Sequence, residues 1–218
     1  MITTGGGRLN VGSQNTSQRP APACERGYIV KRVCIDPGHG GSQSGAVYGD
    51  LLEKDVNLTV AEYVVEGLKA VDPEIWVGLT RTFDRTMSLQ ERCDFSNNMN
   101  VDCFLSIHCN ADPDLDEPGM AEAKGEEIWF HKGSVRGIRL AQCLADEVDR
   151  IFPDEPFRGI KESEVFYVLK HTNAPACLLE IGFIDKSSSH ETFTDELTLR
   201  KIGIFIARGI YEYISLDS

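Results

Sequence analysis

The stretch VCIDPGHGG, residues 33–41, carries a short apolar run into a glycine-rich turn that contains a histidine. The run Ile29–Ile35 predicts a buried β-strand, which Pro37-Gly38 ends. Glycine adopts backbone conformations that other residues avoid, so the glycines around His39 allow a tight turn beneath a bound ion. We therefore expect the His39 side chain to emerge at the carboxyl end of a strand.

Short apolar runs and amphipathic stretches alternate along the rest of the chain. Strands that alternate with helices indicate an α/β fold. We predict a single domain, residues 28–218, with a mainly parallel twisted sheet of about six strands flanked by helices. Ser88 and Glu91 form a capping box that starts the second helix. The further predicted strands are Ile75–Leu79, Cys103–Ile107, Glu126–Phe130, Phe166–Leu169 and Ala176–Ile181, and the helices are Glu53–Ala70, one from Ser88, Ser134–Ile151 and Asp195–Ile214.

The net charge of the chain limits the classes of partner that it can bind. Its 218 residues carry a formal net charge of −12, which argues against nucleic acid as the main partner. The same charge gives no attraction to anionic membranes, and no apolar run approaches the roughly 20 residues that cross a bilayer. We expect neither nucleic acid nor a membrane as a partner, and a target that is recognised by shape.

The first residues read as a leader. The segment Met1–Gln18 is rich in Gly, Ser, Asn and Thr and lacks the apolar centre of a signal peptide. Residues 1–27 show no apolar period, so we expect a flexible leader and no export signal.

The seven cysteines are read as structural. Cys34, Cys103 and Cys177 lie in apolar strand-like runs, where buried free thiols are the usual finding. No CxxC pair occurs, which argues against a Cys₄ zinc site.

Four residues are predicted to meet at one edge of the sheet. His39 and His108 each follow a strand, Glu53 opens the first helix after a glycine-rich loop, and Glu180 closes a late strand. Ligands of parallel sheets bind at the carboxyl ends of the strands. Two imidazoles and one carboxylate form a zinc site that leaves room for water, and a second carboxylate can then transfer protons.

Each of these residues also has an ordinary interpretation. A histidine at a strand end is often a plain polar residue, and Glu53 would suit the positive end of a helix. Glu180 is harder to explain in this way, because burying an ionised carboxylate is costly. The HExxH signature of helical zinc sites is absent, so spacing alone leaves the metal site and the ordinary reading both open.

A resemblance to a known family separates these readings. Four stretches resemble motifs of the type 3 family of N-acetylmuramoyl-L-alanine amidases, in order and with similar gaps: VCIDPGHGG at 33–41, LEKDVNL at 52–58, SIHCNA at 106–111 and LEIGFI at 179–184. Thr80-Arg81, Asp84 and SLQER at 88–92 are also similar to the family. Its members usually carry Ala or Ser where this chain has Cys109, and we expect that thiol to point away from the site.

The resemblance implies an activity and a role for each residue. His39, Glu53 and His108 would bind one zinc ion, and Glu180 would be the catalytic acid and base. The substrate would be peptidoglycan, cut between N-acetylmuramic acid and L-alanine. The alternatives are a zinc peptidase that cuts within the stem peptide and a non-catalytic wall-binding regulator.

The resemblance also suggests a setting. The 13-residue stretch 112–124 contains Pro113, Pro118 and Gly119, which disfavour a helix that would cover the site. We expect no activator protein, and the lack of an export signal favours a phage endolysin, held in the host cytoplasm until it is released to the wall. A bacterial enzyme whose leader had been removed would act in the periplasm or cell wall. The oligomeric state is left open.

Overall fold

The structure is a computed structural model that describes residues 30–112, 123–185 and 187–216. The predicted leader at 1–27 and most of the predicted 112–124 loop lie outside the described residues. None of the described helices is both long enough and apolar enough to span a bilayer.

The secondary structure follows the alternation that the sequence predicts. The strands are β1 (Arg32–Pro37), β2 (Val47–Tyr48), β3 (Leu51–Leu52), β4 (Trp76–Leu79), β5 (Cys103–Asn110), β6 (Glu127–His131), β7 (Ile160–Ser163) and β8 (Ala176–Phe183). The helices are α1 (Glu53–Val71), α2 (Leu89–Met99), α3 (Val135–Val148), α4 (Tyr167–His171), α5 (Ser187–Thr194) and α6 (Glu196–Ser215).

Six strands form the main sheet, in the order β4-β1-β5-β8-β6-β7, and β2 and β3 form a separate two-stranded ribbon. The strands β4, β1, β5 and β8 are parallel. β6 runs antiparallel to β8, and β7 runs parallel to β6. The prediction of a mainly parallel sheet of about six strands in an α/β domain is confirmed.

The reversed direction of β6 determines which of its residues lie at the functional edge, by which we mean the edge of the sheet at the carboxyl ends of β1, β5 and β8. The amino end of β6 lies beside the carboxyl end of β8, because Glu127 is the cross-strand partner of Glu180. His131, at the other end of β6, lies at the opposite edge. The edge that receives the ends of β1, β5 and β8 therefore also receives the start of β6.

Helices cover both faces of the sheet. On one face α6 packs against α1 and α3 over the larger apolar core. On the other face α2 and α4 lie over a smaller core that includes Cys34, Phe104 and Leu178. The helix starts follow local chemistry: Ser88 and Glu91 form the predicted capping box, and Asp195 accepts a hydrogen bond from the Thr198 amide at 2.9 Å.

Two glycines let α1 and α6 approach closely. A Cβ on Gly203 would lie 2.4 Å from Cβ of Tyr63, and a Cβ on Gly67 would lie 2.7 Å from Cβ of Ala207. Such distances are too short for carbon atoms, so both helices need glycine at this crossing.

Several predicted elements need correction. The run Phe166–Leu169 is not a strand, because helix α4 begins at Tyr167. A four-residue apolar run has too few residues to separate the two periods. The strands β2, β3 and β7 and the helix α5 were not predicted. β5 continues to Asn110, so His108 lies inside the strand instead of after it.

Candidate metal centre and cleft

His39 lies in a turn whose backbone carbonyls accept hydrogen bonds from two buried arginines. Its φ of 58° is left-handed, which is uncommon for a residue with a side chain. Arg92 donates hydrogen bonds to the carbonyls of Pro37 and His39 at 2.8 and 2.6 Å. Arg81 donates to the carbonyls of Pro37 and Gly38 at 3.0 and 2.9 Å. The two guanidinium groups thus fix the backbone from which the His39 side chain projects.

Asp36 anchors the same turn from within the sheet. Its carboxylate is almost fully buried and accepts hydrogen bonds from Thr80 at 2.6 Å, Arg92 at 2.7 Å and Ser106 at 2.7 Å. These donors come from the end of β4, from α2 and from β5. The network ties the strand ends together, and its full set of partners explains how the charge is tolerated inside.

His108 extends from β5 against the turn. A Cβ on Gly38 would lie 2.3–2.6 Å from three atoms of the His108 ring, so only glycine leaves room for the imidazole. The His39 and His108 ring centroids are 4.9 Å apart. Glycine at position 38 is therefore required for the placement of the second histidine.

Glu53 joins the two histidines. Its Oε1 lies 3.1 Å from Nε2 of His39 and 3.0 Å from Nδ1 of His108. The Ala46 amide donates to Oε2 at 2.8 Å, and the Cys109 amide donates to Oε1 at 3.0 Å. Burial alone would raise the pKa of Glu53, but hydrogen bonds with the two histidines lower it strongly. Burial opposes a charge on His108, yet its hydrogen bond with Glu53 raises its pKa.

The three side chains form a group that could hold a metal ion. One donor atom from each of His39, Glu53 and His108 lies within 4.8 Å of the other two. Two imidazole nitrogens and one carboxylate oxygen are a donor set of zinc sites that keep a position open for water or substrate. Two ligands of a tetrahedral zinc ion lie about 3.3 Å apart, close to the separations around Glu53. The sequence prediction that these residues converge is confirmed by the geometry.

Glu180 lies beside this group on β8. It is the cross-strand partner of His108. Its Oε2 is buried and has no hydrogen-bond partner within the described structure. Burial raises the pKa of Glu180 to about 7, and the negative charges of Glu53 and Glu127 add to this effect, while His108 opposes it. A carboxyl group with such a pKa can both accept and release a proton near neutral pH.

The group opens into a cleft of about 810 Å³. His39, His108 and Glu180 lie at its floor. Among its other lining residues are two segments that we call its walls, the loop 42–45 and residues 165–168 around the start of α4. Val165 is 87% exposed on that second wall. The cleft thus combines a polar loop with an apolar helix start, and a substrate at the metal group can contact both.

Cys109, His131 and His171 all lie outside the metal group. The Cys109 thiol lies 3.6 Å from Oδ1 of Asn57, burial raises its pKa, and it is outside the metal group, as expected. His131 does not line the cleft, because β6 carries it to the opposite edge, where Nδ1 lies 3.2 Å from the Ser163 carbonyl oxygen. His171 stacks on Tyr167 at 4.0 Å and does not line the cleft.

Sequence reasoning missed Glu127. This carboxylate is 5% exposed and pairs with Arg158 at 2.8 Å and with Lys161. It reaches the functional edge only because β6 is reversed, and nothing in the sequence indicates the direction of a strand. The alternation of Glu127, Trp129 and His131 on one face is the only sequence signal that could have drawn attention to it.

Comparisons with known proteins agree with this geometry. The model of the N-acetylmuramoyl-L-alanine amidase family matches residues 33–212. The protein YqiI of Bacillus subtilis is 35% identical over 187 residues, which cover 84% of each chain. The N-acetylmuramoyl-L-alanine amidase CwlM of Bacillus licheniformis is 31% identical over 85% of this chain and 70% of its own length.

Solved structures give the same result. The N-acetylmuramoyl-L-alanine amidase of Clostridium difficile 630 superposes with a TM-score of 0.78 at 31% identity, over 87% of this chain and 99% of the other. Sequence relatives, family match and fold thus agree over nearly all of the described residues, and the chain belongs to the type 3 family of N-acetylmuramoyl-L-alanine amidases, enzymes that act on peptidoglycan.

Proposed function

We propose that this protein is a zinc-dependent hydrolase that cuts the amide bond between N-acetylmuramic acid and the L-alanine of the stem peptide. The observation that carries the proposal is the convergence of His39, Glu53 and His108 beside Glu180, whose Oε2 is buried and has no hydrogen-bond partner in the described structure. A metal group next to a free carboxylate supplies the two components that amide hydrolysis requires.

The role of His39, Glu53 and His108 in this proposal is to place the metal ion. His39, Glu53 and His108 would hold one zinc ion at the floor of the cleft, where zinc supplies a Lewis acid for the scissile carbonyl and for water. The charge of Glu53 favours a cation there. Backbone donors from Ala46 and Cys109 hold its carboxylate in place, so the orientation of this ligand is set before anything binds.

Glu180 moves the protons. Its carboxylate accepts a proton from the attacking water, whose oxygen forms a bond to the lactyl carbonyl carbon. The protonated Glu180 then gives that proton to the leaving alanine nitrogen as the carbon–nitrogen bond breaks. The products are a carboxylic acid on the glycan strand and a free amine on the stem peptide. Burial raises the pKa of the Glu180 carboxyl group, which helps it to keep the proton between the two transfers.

The test is digestion of purified sacculi followed by mass spectrometry of the fragments, with and without a chelator. We expect intact stem peptides with a free L-alanine amine, released only by the metal-loaded protein. Fragments that end inside the stem peptide would identify a peptidase. Tight binding to sacculi without release of any fragment would identify a wall-binding regulator.

We further propose that the protein acts without an activator, as a lysis enzyme must. The support is the 112–124 stretch, which has 13 residues and is interrupted by Pro113, Pro118 and Gly119. The test compares the isolated chain with a variant whose 112–124 stretch is shortened to a Gly-Ser linker. Equal activity on sacculi supports the proposal. A silent parent with an active shortened variant would identify the stretch as a lid.

A further inference from the structure

Three acidic or basic side chains form a row across the sheet next to the metal group. Glu180 on β8 is flanked by its cross-strand partners His108 on β5 and Glu127 on β6. Side chains of directly opposed residues project from the same face of a sheet, with Cβ atoms about 4.5–5.5 Å apart. Glu127 is therefore the second neighbour of Glu180, on the side away from the metal group.

Glu127 and Glu180 have opposite surroundings. Oε1 of Glu127 accepts hydrogen bonds from Trp129 Nε1 at 3.0 Å and Asn110 Nδ2 at 3.2 Å. Its Oε2 accepts from Arg158 Nε at 2.8 Å and from Lys161 Nζ. Burial would raise the pKa of Glu127, but these partners, with Lys161 foremost, lower it. Glu180 has a buried oxygen without a partner.

The two cations lie within reach of Glu180. Lys161 and Arg158 are only about one third exposed, and both are directed toward β6. Each also packs on an aromatic ring, Lys161 over Trp129 at 5.1 Å and Arg158 over Phe183 at 5.1 Å. Neighbouring strands are about 4.8 Å apart, so Glu180 is one strand beyond the carboxylate that these cations now bind. Both side chains are flexible enough to cover that distance.

We propose that Glu127 is a positioning residue for Glu180: it binds Lys161 and Arg158 and thereby keeps both cations from pairing with the Glu180 carboxylate. A carboxylate that is paired with a cation is held by it and is less free to turn toward substrate. The inference rests on the role of Glu180 in the proposed function. It assigns Glu127 a part in the reaction although Glu127 touches neither the metal group nor the cleft.

A purely structural role for Glu127 makes a different prediction. The same contacts join β6 to β7 and to the turn before β7. If they serve only as a clamp, each further contact removed makes the protein less stable and less active. If Glu127 occupies the cations, removal of the cations repairs the damage that removal of Glu127 causes.

The experiment uses Glu127→Gln alone and Glu127→Gln combined with Lys161→Met and Arg158→Met. We expect Glu127→Gln to retain the metal and to lower kcat by about tenfold or more with little change in KM, because a carboxylate paired with a cation is withdrawn from a role whose complete loss costs about 10²–10⁴-fold. We expect the triple variant to recover most of kcat, although its melting temperature stays low. A triple variant no more active than Glu127→Gln would overturn the proposal.

A crystal structure of Glu127→Gln decides the question without any turnover. We expect Lys161 or Arg158 within about 4 Å of the Glu180 carboxylate, the usual limit for an ion pair. Both cations directed elsewhere would overturn the proposal. Sacculi that the parent protein leaves uncut would refute the proposed function alone, because the structure still reports on the pairing. Lys132→Met is the control, since Lys132 forms an exposed pair with Glu164.

Discussion

Single carboxylates in this protein have strongly different environments, and the differences predict separate effects of single substitutions. Glu53 is surrounded by donors, Glu180 has a buried oxygen without a partner, and Glu126 is 1% exposed with an unpartnered Oε1. An unpaired buried carboxylate favours its neutral form, whereas a carboxylate with several donors favours its charge.

We predict that Glu180→Gln retains zinc and loses turnover by about 10²–10⁴-fold, because it keeps the shape of the side chain and removes the base. His108→Ala is the matched comparison, and it should lose the metal. Elemental analysis and digestion of sacculi measure the two effects. Zinc retained in full by His108→Ala, or activity of Glu180→Gln within about threefold of the parent, would refute the assigned roles.

Glu126 allows a prediction about stability and pH. Burial, with the nearby charges of Glu155 and Asp149, raises the pKa of Glu126 from 4.5 to about 7. The folded protein therefore binds a proton more tightly than the unfolded chain, and stability falls as pH rises from about 4.5 to 7. Glu126→Gln removes this loss. We therefore expect its free energy of unfolding to exceed that of the parent by about 1–3 kcal/mol at pH 8 and by almost nothing at pH 4.5.

The measurement is the free energy of unfolding of Glu126→Gln at the two pH values. Glu162→Gln, a substitution at an exposed position on β7, is the control and should change the free energy of unfolding little at either pH. An equal gain at both pH values would show that the effect does not come from the ionisation of Glu126.

At the scale of elements, the crossing of α1 and α6 gives a prediction that opposes helix propensity. Alanine is a better helix former than glycine by about 1 kcal/mol, yet a Cβ on Gly203 would lie 2.4 Å from Cβ of Tyr63. We expect Gly203→Ala to lower the melting temperature, because the helices must move apart. Glu212→Ala, at an exposed site on the same helix, should have little effect. A stabilised Gly203→Ala would show that the crossing has room to spare.

The elements also show what a sequence can predict. Local chemistry placed β1, α1 and the capped starts of α2 and α6, because each signal lies within a few residues. The direction of β6 depends on where the chain re-enters the sheet, which no local pattern contains. His39, Glu53, His108 and Glu180 could be named in advance because they lie in motifs that resemble those of a known family, whereas the position of Glu127 depends on the direction of β6.

The buried polar contacts next to the site likewise could not be predicted from the sequence. Asp36 and Arg92 are 56 positions apart and meet only because α2 packs against the end of β1. Motif resemblance drew attention to both without indicating that they form a buried pair. Long-range partners of this kind need the fold before they can be recognised.

At the scale of the whole molecule, we predict that deletion of residues 1–26 leaves folding and activity intact. That segment shows no apolar period that could pack on the domain. Thermal unfolding and digestion of sacculi test the expectation. Deletion through residue 36, which removes most of β1, is the contrasting variant and should not fold. A large drop in melting temperature for the shorter deletion would show that the leader contributes to the domain.

The pairing of His108 with Glu180 also bears on how such proteins diversify. Both residues lie on the central strands β5 and β8, so the separation of the metal group from the Glu180 carboxylate is set by backbone hydrogen bonds inside the sheet. The cleft walls at 42–45 and 165–168 lie outside these strands. The spacing of these groups is therefore independent of the segments that contact substrate. The two cleft-wall segments can be exchanged between relatives, or randomised in a library, to redirect the enzyme to peptidoglycan of other composition. The metal group and Glu180 would keep their spacing.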